Sequence, residues 1–462
     1  GETIGTFQIE SRAQIQSVLR TKPDRLYDIV VQVALIRPGP IQAKFVHPYT
    51  ERRLGREPVT YPHPALAPIL ARTQGIPVFQ EQAMAIAMAL GGYTGSEADA
   101  LRRTMGNERK KARLLRELEK LKLAIVRNGK LAPPVAPEVA ERICDDLQSF
   151  ANYGFPESHA WSFALIAYAT TWLKAQHTAA FYLGLLNAQP MGFYPVSMLV
   201  HDARKHGVEV RPPCLKDGMV DCTLEETADP EKPALRIGWR VIRGAGTELL
   251  ERIGAARALA PFTSVEDAVR RCRLARAEAL ALARAGAFGA WASDRRQAAW
   301  EALRVAGDVL PLAPAHDVFH DPPPLEHDRA VLLDYHATGL SLQGHPMDAL
   351  RARLQRGGAV TSRDLERLRH GQIIAVGGLV TIRQRPSTAG GTIFLLLEDE
   401  HGVINVIVPP KLVALNEELV KRTPFLLVQG KLEKDGGPIN IVAKRFRKLE
   451  APLAGVRSRD FR

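Results

Sequence analysis

The sequence predicts a multidomain chain, mainly α-helical (through about residue 304) and followed by a small all-β barrel of the oligonucleotide-binding (OB) type. Three observations predict it. Apolar residues recur at helical spacing through most of residues 1–205. The run Ile242-Arg243-Gly244-Ala245-Gly246 has the h-x-G-h-G pattern of a helix-hairpin-helix and precedes an amphipathic stretch. Between residues 370 and 450 the period changes to two, in five short runs separated by Gly and turn residues.

In chain order, "ALIRPGPIQAKFVHPY" is a connector punctuated by Pro38, Gly39 and Pro40. "PALAPILARTQGIPVFQEQAMAIAMALGGY" is an apolar-periodic helix closed by a Gly pair. "EVAERICDDLQSFANYGFPESHAWSFALIAYATTWLKAQH" reads as two helices broken at Gly154 and Pro156. The second is apolar on nearly every face, which predicts burial. Residues 206–304 hold the hairpin and further small helices ("SVEDAVRRC", "RAEALALARAGAFGAW"), and residues 305–368 a Pro-rich linker with connecting helices. Residues 369–450 carry the strands "IIAVGGLVTIRQR", "TIFLLLEDE", "VINVIVP", "PFLLVQGKLEK" and "INIVAKRFRKL", and residues 451–462 a tail. There is no internal repeat.

The length of 462 residues bounds the chain to about three domains. A net charge of +12 points to a polyanionic partner, of which nucleic acid is the commonest, although charge also serves solubility alone. Cys144, Cys214, Cys222 and Cys272 form no C-x-x-C pair, which argues against a zinc–thiolate site and a disulfide framework and fits a cytoplasmic setting. No apolar run reaches the roughly 18 residues of a membrane span. The chain opens on "GETIGTFQIESR" rather than Met and is expected to be a piece of something longer.

The charge is uneven. Leu101–Lys120 holds eight Lys or Arg against three Glu, a net +5. Arg102 and Arg103 precede a break at Met105-Gly106, and Arg109-Lys110-Lys111 follow it. Guanidinium forks match phosphate oxygens, so the pair of clusters suits a triphosphate or a DNA backbone; a solvated helix face is the alternative. "NYGFPESHAWSFALIAY" gathers Tyr153, Phe155, Ser158, His159 and Trp161 at a helix start, with Glu157 or Ser158 as cap, which suits an anion or simply a capped core helix. Gly244 and Gly246 let main-chain N–H groups approach a phosphate, with Arg236, Arg240 and Arg243 as basic flanks, unless the run is only an interhelical turn. In the barrel, Arg383, Arg385, Phe394 and Lys411 suit a stacked single strand, although Phe394 serves equally well as core. No Ser–His–Asp or Cys–His arrangement, P-loop or G-x-G-x-x-G between strand and helix is present. Nor is there a D-x-D for a pair of metal ions. The nearest acidic cluster, "LEDEHG" (Leu397–Gly402), reads as a solvated hairpin turn.

"GTFQIESR", "ALIRPGPIQAKFVHPY", "VTYPHPALAPIL", "GIPVFQEQAMAIA", "EADALRRTMG" and "YGFPESHA" resemble, in the same order, the carboxy-terminal portion of bacterial C-family DNA polymerases. "GFPESHAWSFA", "LLNAQPMGFY" and "VTIRQRPSTAGGTIFLLLEDEHGVINVIV" resemble the error-prone, alpha-subunit-like branch (ImuC type). The resemblance implies polymerase fingers over 1–205, a helix-hairpin-helix over 206–304 and an OB barrel near single-stranded template. It implies error-prone nucleotidyl transfer in translesion synthesis and damage-induced mutagenesis, with primer–template DNA and dNTPs as substrates. Arg102 and Arg103 are expected to face the incoming triphosphate, with Arg37, Lys110, Lys111, Ser158 and His159 as weaker candidates. Where the family usually reads "GKK", this chain reads Gly106-Asn107-Glu108. Replicative members carry Lys where this chain has Glu157, a difference expected to loosen nucleotide selection. The family's palm aspartates and the Mg²⁺ they hold are expected upstream of this chain. It is therefore expected to bind but not to extend a primer, with no catalytic or metal residue of its own. The partners implied are a Y-family-like accessory protein, a RecA-like protein and, indirectly, the sliding clamp. A non-catalytic DNA-binding remnant, a split-gene half and a replicative polymerase III alpha subunit are the alternatives.

Overall fold

The computed structural model describes residues 2–37, 45–105, 111–151, 155–191, 194–307, 323–386, 389–434, 439–450 and 459–461. They form two compact units, Gly1–Gln176 and His177–Arg462.

The first unit is helical: α1 Arg12–Thr21, α2 Leu26–Leu35, α3 Val46–Arg53, α4 Ala67–Leu70, α5 Gln80–Gly91, α6 Gly95–Arg102, α7 Lys111–Arg127, α8 Pro137–Ala151 and α9 Glu157–Gln176. Local chemistry sets the ends. Ser11 and Gln14 form a capping box at α1, Thr94 and Glu97 one at α6, and Gly92 ends α5 in the left-handed region at φ 67°. Val31, Leu35, Phe79, Ile86, Leu90, Leu101, Leu121 and Leu147 lie in one core. The sequence predicts a buried α9, and the structure corrects this. Only one stripe of α9 is covered, chiefly Ala160, Ala164 and Ala167, while Leu165, Tyr168 and Trp172 are 46–55% exposed. Alanines on that stripe allow a close approach to α2, the helix against which α9 packs.

The second unit begins with α10 Thr178–Asn187 and α11 Val196–Lys205 beside a small sheet ordered β1-β3-β2 (β1 Val210–Arg211, β2 Thr223–Glu225, β3 Ala234–Arg236). The Asn187 carboxamide locks α10 to the sheet by bonding both main-chain groups of Cys222, at 3.0 and 2.8 Å. Then come α12 Thr247–Leu259, α13 Val265–Arg271, α14 Arg276–Arg284 and α15 Arg295–Val305, packed around Trp239, Ile253, Leu282 and Phe288. The connecting helices are α16 His327–Ala337 and α17 Asp348–Arg356.

Strands β4 Ala359–Val360, β5 Ile373–Gln384, β6 Ile393–Glu398 and β7 Val403–Val408 follow, then α18 Pro410–Leu415, α19 Glu417–Arg422, β8 Phe425–Glu433, β9 Asn440–Lys448 and β10 Arg459–Phe461. Strands β5 to β9 close in the order β5-β6-β7-β9-β8-β5, because β5 pairs β8 over its first half and β6 over its second. Two glycines permit the bend: a Cβ on Gly377 would meet Leu354 Cδ1 at 2.8 Å, and one on Gly378 would meet Leu397 Cβ at 2.9 Å. A closed five-stranded barrel with helices between its third and fourth strands is the OB-type arrangement, so the fold class read from the sequence holds.

The barrel also depends on Gly430, at the β8–β9 bulge, where a Cβ would collide with the Val442 carbonyl oxygen and approach Ile441 Cγ2 to 2.6 Å. Gly430→Ala is expected to destabilise the barrel by about 1–3 kcal/mol, read as a lower urea midpoint for the second unit.

Candidate nucleic-acid interface

Helix α6 delivers Arg102 and Arg103 to one carboxylate. Asp99 Oδ1 accepts from Arg102 Nε and Nη2 at 2.9 and 2.8 Å, and its Oδ2 accepts from Arg103 Nε at 2.8 Å. The hydrogen bond from Arg102, opposed in part by desolvation, holds the Asp99 carboxyl below its ordinary range. Arg103 remains mostly exposed and Arg102 partly so. Lys110 lies outside the described residues, and Lys111 begins α7.

Helix α9 starts where three other segments converge on Glu157. Its N–H donates to Glu81 Oε2 at 2.9 Å, its Oε1 accepts from Tyr27 Oη at 3.0 Å, and its Oε2 accepts from Arg72 Nη2 at 2.7 Å. The cap is therefore a carboxylate of α5, which local sequence does not reveal. Burial, reinforced by Glu157, pushes the Tyr27 phenol well above its ordinary value. Glu157 is buried and packed as an anchor between Tyr27 and Arg72. Ser158 and His159, the next two residues, are exposed. The His159 ring lies 4.2 Å from Phe163 and 5.2 Å from Phe155, and Arg37 stands 4.5 Å over Phe155. The structure thus brings Arg37 and His159 together on Phe155. No contact among the described residues joins them to Arg102 or Arg103.

In the second unit, Gly244 turns the hairpin at φ 89°, with the Ala281 methyl only 3.4 Å from where its Cβ would lie. Gly246 is the N-cap of α12, with nothing within 4 Å of its Cβ position and no side-chain cap. The first-turn N–H groups of α12 therefore have no side chain competing for them. The expected basic flanks bond within the chain, Arg236 half-buried and Arg240 and Arg243 still exposed. Arg236 forks onto Glu225 at 2.6 and 2.8 Å, Arg240 pairs with Asp221, and Arg243 Nη1 donates to the carbonyls of Tyr335 and His336 at 3.2 Å. The hairpin thus presents uncapped main chain beside the exposed Arg240 and Arg243.

In the barrel, Arg383 is 7% exposed and donates to the carbonyls of Val420 and Thr423 at 2.7 and 2.6 Å. It is a structural arginine that closes the end of α19. Arg385 and Lys411 are exposed. Phe394 is half-buried, opposite Gln384 and Ile407 on the outer face of β6.

The acidic hairpin is not the solvated turn that the sequence predicts. Asp399 is 1% exposed and accepts from the Ser362 N–H and hydroxyl and from the N–H groups of His401 and Gly402. Glu400 pairs with Arg351. Burial, with Asp399 beside it, pushes the Glu398 carboxyl up to about 7. Opposite, His345 Nδ1 accepts from the Met347 N–H at 3.1 Å, so the neutral ring carries its proton on Nε2, 3.8 Å from Glu398 Oε1. Burial depresses His345 to about 3. No group of three or more His, Cys, Asp or Glu suited to a metal ion occurs among the described residues.

Residues 1–129 match the family described as bacterial DNA polymerase III alpha subunit finger domain, and residues 207–298 match the helix-hairpin-helix motif. The error-prone DNA polymerase of Anaeromyxobacter sp. (strain K) is 44% identical over 472 residues, covering 100% of this chain and 41% of that protein. Error-prone DNA polymerase 1 of Agrobacterium fabrum is 42% identical over 477 residues (99% of this chain, 43% of that protein), and the Methylococcus capsulatus error-prone DNA polymerase is 42% identical over 485 residues (100% and 46%). The chain spans less than half the length of these relatives.

Two outcomes follow from the buried carboxylates. The Glu398 carboxyl is raised above its unfolded value, so its contribution is complete below about pH 4.5 and is lost as pH rises toward about 7. Glu398→Gln is expected to remove that loss, making the variant more stable than the parent at pH 8 by on the order of 2–3 kcal/mol, measured by urea unfolding from pH 5 to pH 8. Glu157→Lys breaks the Arg72 pair and sets two cations together, so the first unit should lose about 2–3 kcal/mol, whereas Glu157→Gln, which keeps an acceptor for Tyr27, should lose less.

Proposed function

We propose that the chain is the fingers, helix-hairpin-helix and OB-barrel part of an error-prone DNA-directed DNA polymerase. The observation that carries the reading is the uncapped first turn of α12 behind Gly244 and Gly246. Main-chain N–H groups in the open, at the positive end of a helix, suit a DNA phosphate and read no sequence. The finger-domain match over residues 1–129 and the named relatives support the rest of the assignment.

In this reading Gly244, Gly246 and the first turn of α12 grip duplex backbone. Arg102 and Arg103, held side by side by Asp99, take the phosphates of the incoming dNTP, with Arg37 and His159 on Phe155, Ser158, and Lys110 and Lys111 as secondary contacts. Arg385, Phe394 and Lys411 lie along single-stranded template. The whole enzyme's reaction is nucleotidyl transfer onto a primer in translesion synthesis and damage-induced mutagenesis, in the cytoplasm. Mg²⁺ would supply charge neutralisation of the triphosphate, and the described residues gather no donor set for it. The branch resemblance favours a Y-family-like accessory protein, a RecA-like protein and an indirect link to the sliding clamp as partners.

The chain is expected to bind a labelled primer–template with affinity that falls steeply with KCl, because phosphate contacts release counterions. A salt-independent affinity would remove the reading. Arg102→Ala combined with Arg103→Ala should weaken dATP binding at least tenfold, roughly 1.4 kcal/mol, in isothermal titration while leaving duplex affinity unchanged. The chain alone should give no primer extension; extension under those conditions would place the reaction's carboxylates within it.

A further inference from the structure

Helix α11, the connector between α16 and α17, and the turn between β6 and β7 line a cavity of about 620 Å³ in the second unit. That is within the roughly 300–1,000 Å³ of small-molecule sites. Val200, Leu340 and Leu342 supply apolar wall. The polar groups divide by depth. His345 and Glu398 are buried, at 9% and 6% exposure, whereas His201 and Arg204 of α11 are exposed.

The buried pair is incomplete. Nδ1 of His345 is taken by the Met347 N–H, and its Nε2 has no hydrogen-bond partner. Glu398 Oε1 lies 3.8 Å from that nitrogen, beyond hydrogen-bond reach, and the Glu398 carboxylate has no other partner among the described residues. The other carboxylates around the cavity are committed. Asp348 Oδ2 accepts from the His345 N–H at 2.6 Å, Asp399 accepts from Ser362 and from two main-chain N–H groups, and Glu400 pairs with Arg351. A buried donor without an acceptor, beside a buried carboxylate without a donor, is costly to folding. The described residues here form no metal donor set, so what fits is an organic group with an acceptor next to donors.

We propose that this cavity is a binding site for a free guanine nucleotide, its base edge held by His345 and Glu398 and its phosphate by Arg204 and His201. Guanine sets one acceptor, O6, beside two donors, N1–H and N2–H. A neutral imidazole Nε2–H serves the acceptor, and the two oxygens of a carboxylate take both donors. Adenine has only its exocyclic N–H beside N1 and leaves one carboxylate oxygen unserved. The apolar walls suit a flat ring. At the mouth Arg204 has no ion pair among the described residues, and its guanidinium fork matches phosphate oxygens. The site shares no residue with the DNA and dNTP contacts proposed above. A nucleotide there touches α11, the connector and the barrel together, so its binding stabilises the second unit against unfolding.

The test is isothermal titration of the full chain at pH 8 with the 5′-monophosphates of guanosine, adenosine and xanthosine. The guanosine nucleotide should bind at least tenfold tighter than the adenosine one. Glu398→Gln replaces one carboxylate acceptor with a donor. It should weaken the guanosine nucleotide at least tenfold and strengthen the xanthosine one, whose O2 acceptor stands where guanine has N2–H. A loss of packing alone would not invert that order. Arg204→Ala, a surface change, should weaken guanosine monophosphate several-fold and leave unphosphorylated guanosine unchanged. No saturable binding of guanosine monophosphate by the parent chain overturns the site. Equal affinity for the guanosine and adenosine nucleotides, or an unchanged order in Glu398→Gln, overturns the reading of the base edge. Loss of guanosine monophosphate binding in the Arg102→Ala, Arg103→Ala double variant moves the nucleotide to the first unit and overturns the cavity.

Discussion

Arginines capping helix ends from outside are the constraint on which both units depend. A helix leaves its last carbonyls without partners. In this chain distant guanidinium groups supply them. Arg53 donates to the carbonyls of Thr21 and Lys22 at the end of α1, and Arg271 to Ala256 and Ala260 at the end of α12. Arg252 closes α13 through Cys272 and Arg273, Arg243 closes α16, and Arg383 closes α19. Each such cap places a positive group at the negative end of a helix dipole and ties two remote segments together. Short helices that would fray alone are fixed by these cross-links, and the Arg243 bond sets the Gly244–Gly246 hairpin against α16.

The same economy operates with carboxylates at the proposed nucleotide face. Asp99 holds two arginines and leaves part of each guanidinium facing outward, so like charges sit side by side without full repulsion. Glu157 does the opposite. It takes one exposed-side arginine and one half-buried phenol and fixes the start of α9, which in turn positions His159 over Phe155. One carboxylate organises a surface, and the other anchors the helix that carries a neighbouring one.

Periodicity and glycine placement made most of the fold legible. The period-two runs mark the barrel strands, and h-x-G-h-G marks the hairpin, because strand alternation and positive φ are local demands. The failures are all tertiary. Arg383 looks like a ligand contact because its targets, Val420 and Thr423, lie about forty residues away in the chain, as its bond to Thr423 spans 40. The acidic turn looks solvated because Ser362, His345 and Arg351, which bury it, come from preceding segments. Helix α9 looks buried because composition gives the apolarity of a face but not the presence of a neighbour.

Net charge is therefore a poor guide to where this chain would meet a polyanion. Much of its basic surplus is committed to internal carbonyls and carboxylates, including every flank of the hairpin. In the second unit, uncapped main-chain N–H groups at α12 and side chains whose strand neighbours are neutral, as Arg445 and Arg447 on β9, stay open to solvent. Both arise from what is missing beside them in the fold. An arginine becomes available when the opposite residue is Gln429 or Leu427 and no carboxylate is within reach, and this pairing is set by barrel register, not by the density of Lys and Arg along the chain.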